Sequence, residues 1–279
     1  MKFFLIAFNF FLMSVAFAAQ EYGRHESVAA KNKENIGLTK TLNKYGFISN
    51  FLADPYTADF IIFSSEVPGR KVLEVGAEFG KLALEILRNG ALITVVDMDP
   101  RHIQLIEKSV PKSLRNHCEL ITASFPLETH FPENTFDAIF LRVIPFLSGD
   151  LIDRGLAAAI RWLKPGGRLY IVAPTIYLDR TPPHILDSFN KKRMRGEKWP
   201  GMDIQSKDVF PLSIAENMPS RIHLMDIDVL TNALFRTGFE VMRVGYFDRF
   251  RRQNTKSPKS KQGTGIIGIK PVVENTKVP

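Results

Sequence analysis

Cysteine is nearly absent. One thiol, Cys118, serves 279 residues, so no intrachain disulfide can form, and no Cys/His spacing of the zinc type exists. No metal constellation is visible. Stability must then come from a buried core, for which 45% apolar residues supply the material for one large domain or two small ones. No internal repeat occurs, so the chain is not a repeat array. Acids are in the minority: 29 Asp and Glu face 37 Lys and Arg, a formal charge of +8 that allows affinity for anionic partners.

Long apolar runs are confined to the start. Lys2 is followed by an apolar stretch from Phe3 to Val15, and Ala16-Phe17-Ala18 has the small-x-small form that signal peptidase cuts. Residues 1–18 therefore read as a secretory signal peptide cleaved after Ala18, giving an exported protein, periplasmic or secreted. The alternative is an uncleaved N-terminal anchor, although the run is short against the roughly 20 residues of a span. Residues 19–35 are polar and read as a tether. Residues 36–65 carry apolar positions at mixed helical spacing, which predicts helices ahead of the main sheet.

From Val72 the chain alternates. Wholly or nearly apolar segments at 72–75, 92–96, 138–141 and 169–172 and a short segment at 119–122 read as strands, and 81–89, 100–109 and 150–163 read as helices. Strands apolar on both faces alternating with helices predict a parallel sheet covered on both sides, an α/β, Rossmann-like doubly wound fold. The rhythm fails over about 174–225, an insertion rich in proline and charge, and resumes with a helix from Asp226 and strands at 239–246 and 265–270. The segment between those last strands is too short for a crossover helix, so they pair as an antiparallel C-terminal hairpin.

The stretch Val72-Leu-Glu-Val-Gly-Ala-Glu-Phe-Gly80 breaks a buried strand into two glycines four residues apart. Glycine there permits a tight turn and close approach of a ligand. Asp97 ends the next strand 21 residues after Gly76, where a carboxylate can accept from both hydroxyls of a ribose. A dinucleotide fingerprint starting at Gly76 needs glycine at 78 and 81, but the chain has Glu78 and Lys81. An acid facing a pyrophosphate in a poorly solvated loop is repelled.

VLEVGAEFG, ITVVDMDP, FPENTFDAIFLRVIPFL, LKPGGRLYIVAP and LFRTGFEVMRV follow in an order that resembles the class I S-adenosylmethionine (SAM)-dependent methyltransferases, over roughly residues 40–272. The resemblance implies a seven-stranded sheet with an antiparallel end, a domain spanning 36–273, and SAM as cofactor. SAM brings an ammonium and a sulfonium and no phosphate, which suits an acidic loop. Glu74 matches the family's acid for the methionine amine, and Gly76, Ala77, Glu78 and Gly80 form the loop. The family more often has glycine at position 78. Asp97 would hold the ribose and Met98 pack on the adenine. The usual adenine-binding aspartate is missing, and Ser124 with its hydroxyl or Phe125 by stacking stand as candidates against plain loop roles. Arg142 either lines the site or pairs with a surface acid. Asp137 starts its strand and reads as structural.

Transfer from a sulfonium is an in-line displacement that needs mainly alignment. His184, His223 and Tyr177 lie where an acceptor pocket would be built, and none is named catalytic. Two basic runs, Lys191-Lys-Arg193 with Arg195 and Lys198, and Arg249, Arg251, Arg252, Lys256, Lys259 and Lys261, suggest a positive rim for a small anionic acceptor or an anionic membrane surface. Few aromatics interleave, so nucleic acid is not expected. The expected function is methyl transfer to a small molecule. The alternative is an exported, non-catalytic module of the same fold that binds an anionic surface or a protein.

Overall fold

The computed structural model describes residues 38–49, 54–248 and 261–272. The expected signal peptide, the tether and all of the second basic run except Lys261 lie outside the described residues. Nearly all described residues belong to one compact unit that begins at Thr39.

The helices expected over 36–65 are only partly found. Strands β1 (Leu38–Lys40) and β2 (Phe47–Ser49) pair instead as a small two-stranded sheet. Lys44 and Gly46, at φ of 61° and 111°, take left-handed conformations that end any helix between them. Helix α1 (Pro55–Ser65) follows where the local signals are right: Pro55 in the first turn, and Asp54 accepting from the backbone N–H groups of Tyr56 and Thr57.

The main sheet has seven strands in the order β10-β11-β7-β6-β3-β4-β5. Strands β3 (Lys71–Val75), β4 (Leu92–Asp97), β5 (Cys118–Thr122), β6 (Phe136–Leu141) and β7 (Leu163–Pro174) run parallel. Strand β11 (Gly263–Ile269) is antiparallel to both β7 and β10 (Glu240–Phe247), the C-terminal hairpin expected from the short connection. The chain leaves β3 toward β4 on one side and returns to β6 on the other. The carboxyl ends of β3 and β6 therefore flank the switch point at which open α/β sheets bind ligands.

Two apolar layers cover the sheet. Helices α2 (Lys81–Arg88) and α3 (Pro100–Ser109) join α1 on one face, around Phe60, Ile86 and Ile106. Helices α4 (Gly149–Trp162) and α8 (Ile227–Thr237) cover the other, around Leu156, Trp162 and Leu230. Between β7 and α8 the insertion folds into helix α5 (Pro183–Met194), short helices α6 (Ser206–Val209) and α7 (Leu212–Ala215), and a two-stranded ribbon of β8 (Ile204–Gln205) and β9 (Arg221–Ile222). No helix among the described residues is long and apolar enough to cross a membrane.

Candidate functional site

At the carboxyl end of β3 the chain turns sharply. Gly76, Glu78 and Gly80 all have positive φ, at 82°, 56° and 75°. The glycines answer to packing as much as to a ligand: a Cβ on Gly76 would lie 2.5 Å from Val143 Cγ1, and one on Gly80 would lie 2.7 Å from Ile106 Cγ1. The turn is wedged between the loop after β6 and helix α3. Gly80 caps α2 without a side-chain bond, and the Ala83 amide in the first turn of that helix donates to the Glu74 carboxyl.

Glu74 sits below this turn and is 1% exposed. Its Oε2 is buried with no hydrogen-bond partner. Burial pushes the carboxyl up to about 8; Arg142 opposes the shift, while the charges of Glu78 and Asp97 add to it. The Nε of Arg142 is likewise buried without a partner, and its guanidinium lies 5.1 Å from the centre of the Phe140 ring. Of the two expectations for Arg142, the structure places it toward Glu74, and no ion pair joins it to a surface acid among the described residues. A buried acid with an empty lone pair is an unfinished site. A cation entering it would supply the missing partner, as the ammonium of SAM would.

Asp97 ends β4 and is also buried. Its Oδ2 accepts from the Glu78 amide at 3.0 Å, and its Oδ1 accepts from the Asp99 amide at 2.9 Å and faces His102 Nδ1 at 3.0 Å. A carboxylate has about four acceptor positions, so one remains, on Oδ2. The sequence-based expectation is that Asp97 accepts both ribose hydroxyls; in this structure the protein's own donors leave one acceptor position open, on Oδ2. Met98 beside it is 49% exposed, an apolar side chain left open at the strand end.

Past β5, Ser124 is half-buried, and its amide donates to Glu128 Oε2 at 2.8 Å. Phe125 departs from expectation. It is drawn into the core, against the face of Gly155 and 6.3 Å from the Trp162 ring. Its ring stands edge-on to Trp162 within the core and is not open to an adenine. Ala77 is buried within the turn. Asp137 is at the opposite edge of the sheet, accepting from the Lys71 amide at 2.8 Å and from Lys164 Nζ at 2.7 Å, a structural tie.

Several site features had no signal in the spacing of residues. Asp99 caps α3 and binds Arg101 side chain to side chain at 2.9 Å, and that bond holds its carboxyl down at about 2. His102 packs its ring 5.4 Å from that of Phe79 in the turn. His223 is 1% exposed with neither ring nitrogen paired, and burial pushes its pKa down to about 3. Its ring stands edge-on to Trp199 at 5.2 Å, and its amide donates to the Pro145 carbonyl at 2.8 Å, in the turn that follows β6. Tyr177 reaches Asp226 at 3.3 Å, away from the Glu74 cluster.

The first basic run is largely neutralised. Arg193 pairs with Asp226 and Asp228, Arg195 with Glu197, and Lys198 with Asp153. Lys261 lies over the rings of Tyr177 and Tyr246. Among the described residues no cluster of three or more His, Cys, Asp or Glu is placed to hold a metal ion.

Comparison with known proteins agrees with this geometry. Residues 72–167 match the family of methyltransferase domains. Over 107 residues the chain is 35% identical to the demethylmenaquinone methyltransferase of Tropheryma whipplei, an overlap of 37% of this chain and 41% of that protein. The chain thus spans about two fifths of the length of the curated relative. Among solved structures, a SAM-dependent methyltransferase from Methanosarcina mazei is similar with a TM-score of 0.55 at 19% identity, covering 76% of this chain and 97% of that one. One from Mesorhizobium loti gives 0.55 at 14%, covering 78% and 100%.

Proposed function

From the match of residues 72–167 to a methyltransferase domain and a fold similar to SAM-dependent methyltransferases, we propose that the chain binds SAM across the carboxyl ends of β3 and β4 and transfers the methyl group to a small-molecule acceptor. SAM supplies an activated methyl on a sulfonium. Glu74 would face the methionine amine and lose its proton as that cation arrives. Asp97 would accept one ribose hydroxyl through its open Oδ2 position. Met98 would cover one face of the adenine, and Ser124 would stand at the edge. The observation that carries the reading is the buried, unpartnered Oε2 of Glu74 below a glycine turn.

The acceptor side would be formed by the turn after β6 and the insertion, where Trp199 and His223 lie. Because three of the five cations in the first basic run are already paired with acids, the inference favours a neutral acceptor over an anionic one. The name of the Tropheryma relative points to a demethylated quinol as the first compound to test. The pattern of residues 1–18 supports export, which N-terminal sequencing of material from an expressing cell would check by a start at Ala19.

Titration calorimetry with S-adenosylhomocysteine tests the core of this reading. Wild type should bind, and Asp97→Ala should bind about tenfold more weakly, the usual consequence of losing a hydrogen bond to a charged group. Radiolabel transfer from SAM to a demethylated quinol should then require Glu74. A wild-type protein that binds neither SAM nor its product overturns the proposal.

A further inference from the structure

His102 lies on α3, is 1% exposed, and has both ring nitrogens occupied. Its Nδ1 is 3.0 Å from Asp97 Oδ1, and its Nε2 is 3.1 Å from the amide nitrogen of Leu42, 60 residues earlier. An amide N–H can only donate, so Nε2 must accept. That fixes the tautomer: the ring hydrogen is on Nδ1 and is given to Asp97. The adjacent Arg101 donates from Nη2 to the Leu42 carbonyl at 2.8 Å and is itself bound to Asp99. Both polar groups of the Leu42 backbone are thus held by side chains of one helix turn.

The far end of the same loop is held elsewhere. Gly46 donates its amide to the Asn217 carbonyl at 2.8 Å, and Asn217 Nδ2 donates back to the Gly46 carbonyl. Tyr45 stands edge-on to Phe146, in the turn after β6, at 5.4 Å. Residues 41–46 therefore form a strap running from the Asp97 side of the sheet's carboxyl edge to the acceptor side. Its anchors are the loop after α7, the turn after β6, and the start of α3.

We propose that His102 is a positioning residue: it fixes the orientation of the Asp97 carboxylate, and the strap, through the Leu42 amide, fixes His102. The proposal rests on Asp97 being the cofactor's ribose carboxylate. With Oδ1 committed to His102 and Asp99, the open lone pair on Oδ2 is aimed by the ring. Without the Leu42 donor, the imidazole is free to exchange tautomers and rotate, and Asp97 loses its fixed donor. Coupling between two sites is reciprocal. Filling the Asp97 site must then tighten the strap by the same factor that a docked strap tightens the ligand.

The test uses the whole chain with S-adenosylhomocysteine as probe, read by calorimetry and by hydrogen exchange at the Leu42 amide. Wild type should bind and should show slower Leu42 exchange when the probe is present. His102→Leu should bind about tenfold more weakly and lose that ligand-dependent protection, as expected for a lost bond to a charged group. His102→Asn keeps an N–H near the Nδ1 position and should recover part of the affinity. Leu42→Pro removes the donor without touching the core and should weaken binding while leaving thermal unfolding near wild type, so the strap is tested even if His102→Leu misfolds. A purely structural histidine would give variants with lowered melting and unchanged affinity, and that result overturns the proposal. Equal affinity in wild type and Leu42→Pro, or Leu42 exchange indifferent to ligand, overturns it as well while leaving the methyl-donor reading intact. Failure of wild type to bind overturns that reading and this role together.

Discussion

If Glu74 receives the ammonium of SAM as proposed, binding of that cation should release a proton. The Glu74 carboxyl, raised by burial to about 8, would be about 90% protonated at pH 7 in the free protein. An ammonium placed against Oε2 favours the ionised form, so binding at pH 7 should release about 0.9 proton from this group. The same numbers give affinity a slope: between pH 6 and pH 8 the cost of deprotonation falls about fiftyfold, or about 2.3 kcal/mol. Calorimetry of S-adenosylhomocysteine in two buffers of different ionisation enthalpy measures the release directly. Glu74→Gln supplies the control, because titration of the ligand's own amine is common to both proteins. The variant should lack the release and bind comparably at pH 6, where wild type is also neutral, but more weakly at pH 8. The apo protein gives a second readout of opposite sign. A carboxyl whose folded pKa lies above its unfolded value of 4.5 holds extra protons in the folded state. Stability is therefore full below 4.5 and declines as pH rises toward 8, by at most about 5 kcal/mol. Parallel affinity profiles for wild type and Glu74→Gln between pH 6 and 8 would refute the reasoning.

Two other perturbations follow from the same geometry. His223 is buried uncharged with its pKa depressed from 6.5 to about 3, so its stabilising neutrality is complete above pH 6.5 and is lost as the pH falls toward 3. Between pH 8 and pH 5 wild type should lose about 2 kcal/mol that His223→Phe does not, measured by urea unfolding; equal losses would mean the imidazole is solvated. At neutral pH the variant should be as stable as wild type or more so, since it removes two unpaired nitrogens. Gly76→Ala should cost more than the roughly 1–2 kcal/mol of a left-handed alanine, because its Cβ meets Val143 at 2.5 Å. Adding Val143→Ala should recover the excess, and a strictly additive double mutant would contradict the contact.

The alternation of apolar strands and helices, the antiparallel end of the sheet and the position of the glycine turn were legible from the residues, because each depends on local periodicity and turn chemistry. That Asp97 and Met98 stand at a strand end was legible the same way, since the end of a buried strand is visible in one dimension, whereas Glu74 as the acid for an amine came from the family resemblance. The residues 38–49 misled for the opposite reason: their apolar spacing suits a helix, but left-handed Lys44 and Gly46 decide for a hairpin. Phe125 misled because its environment comes from Gly155 and Trp162, some thirty residues further on.

The sequence alone determined which way the main chain folds and where a ligand edge must lie, as hydrophobic period and glycine placement are properties of neighbours along the chain. Tertiary structure alone decided how the site is charged and held. Whether Glu74 is neutral depends on how completely other segments exclude water from it. How many lone pairs Asp97 has left depends on Glu78, Asp99 and a histidine aimed by Leu42. Burial and hydrogen-bond occupancy are set by distance in space, and separations of 60 residues in the chain carry no trace of it.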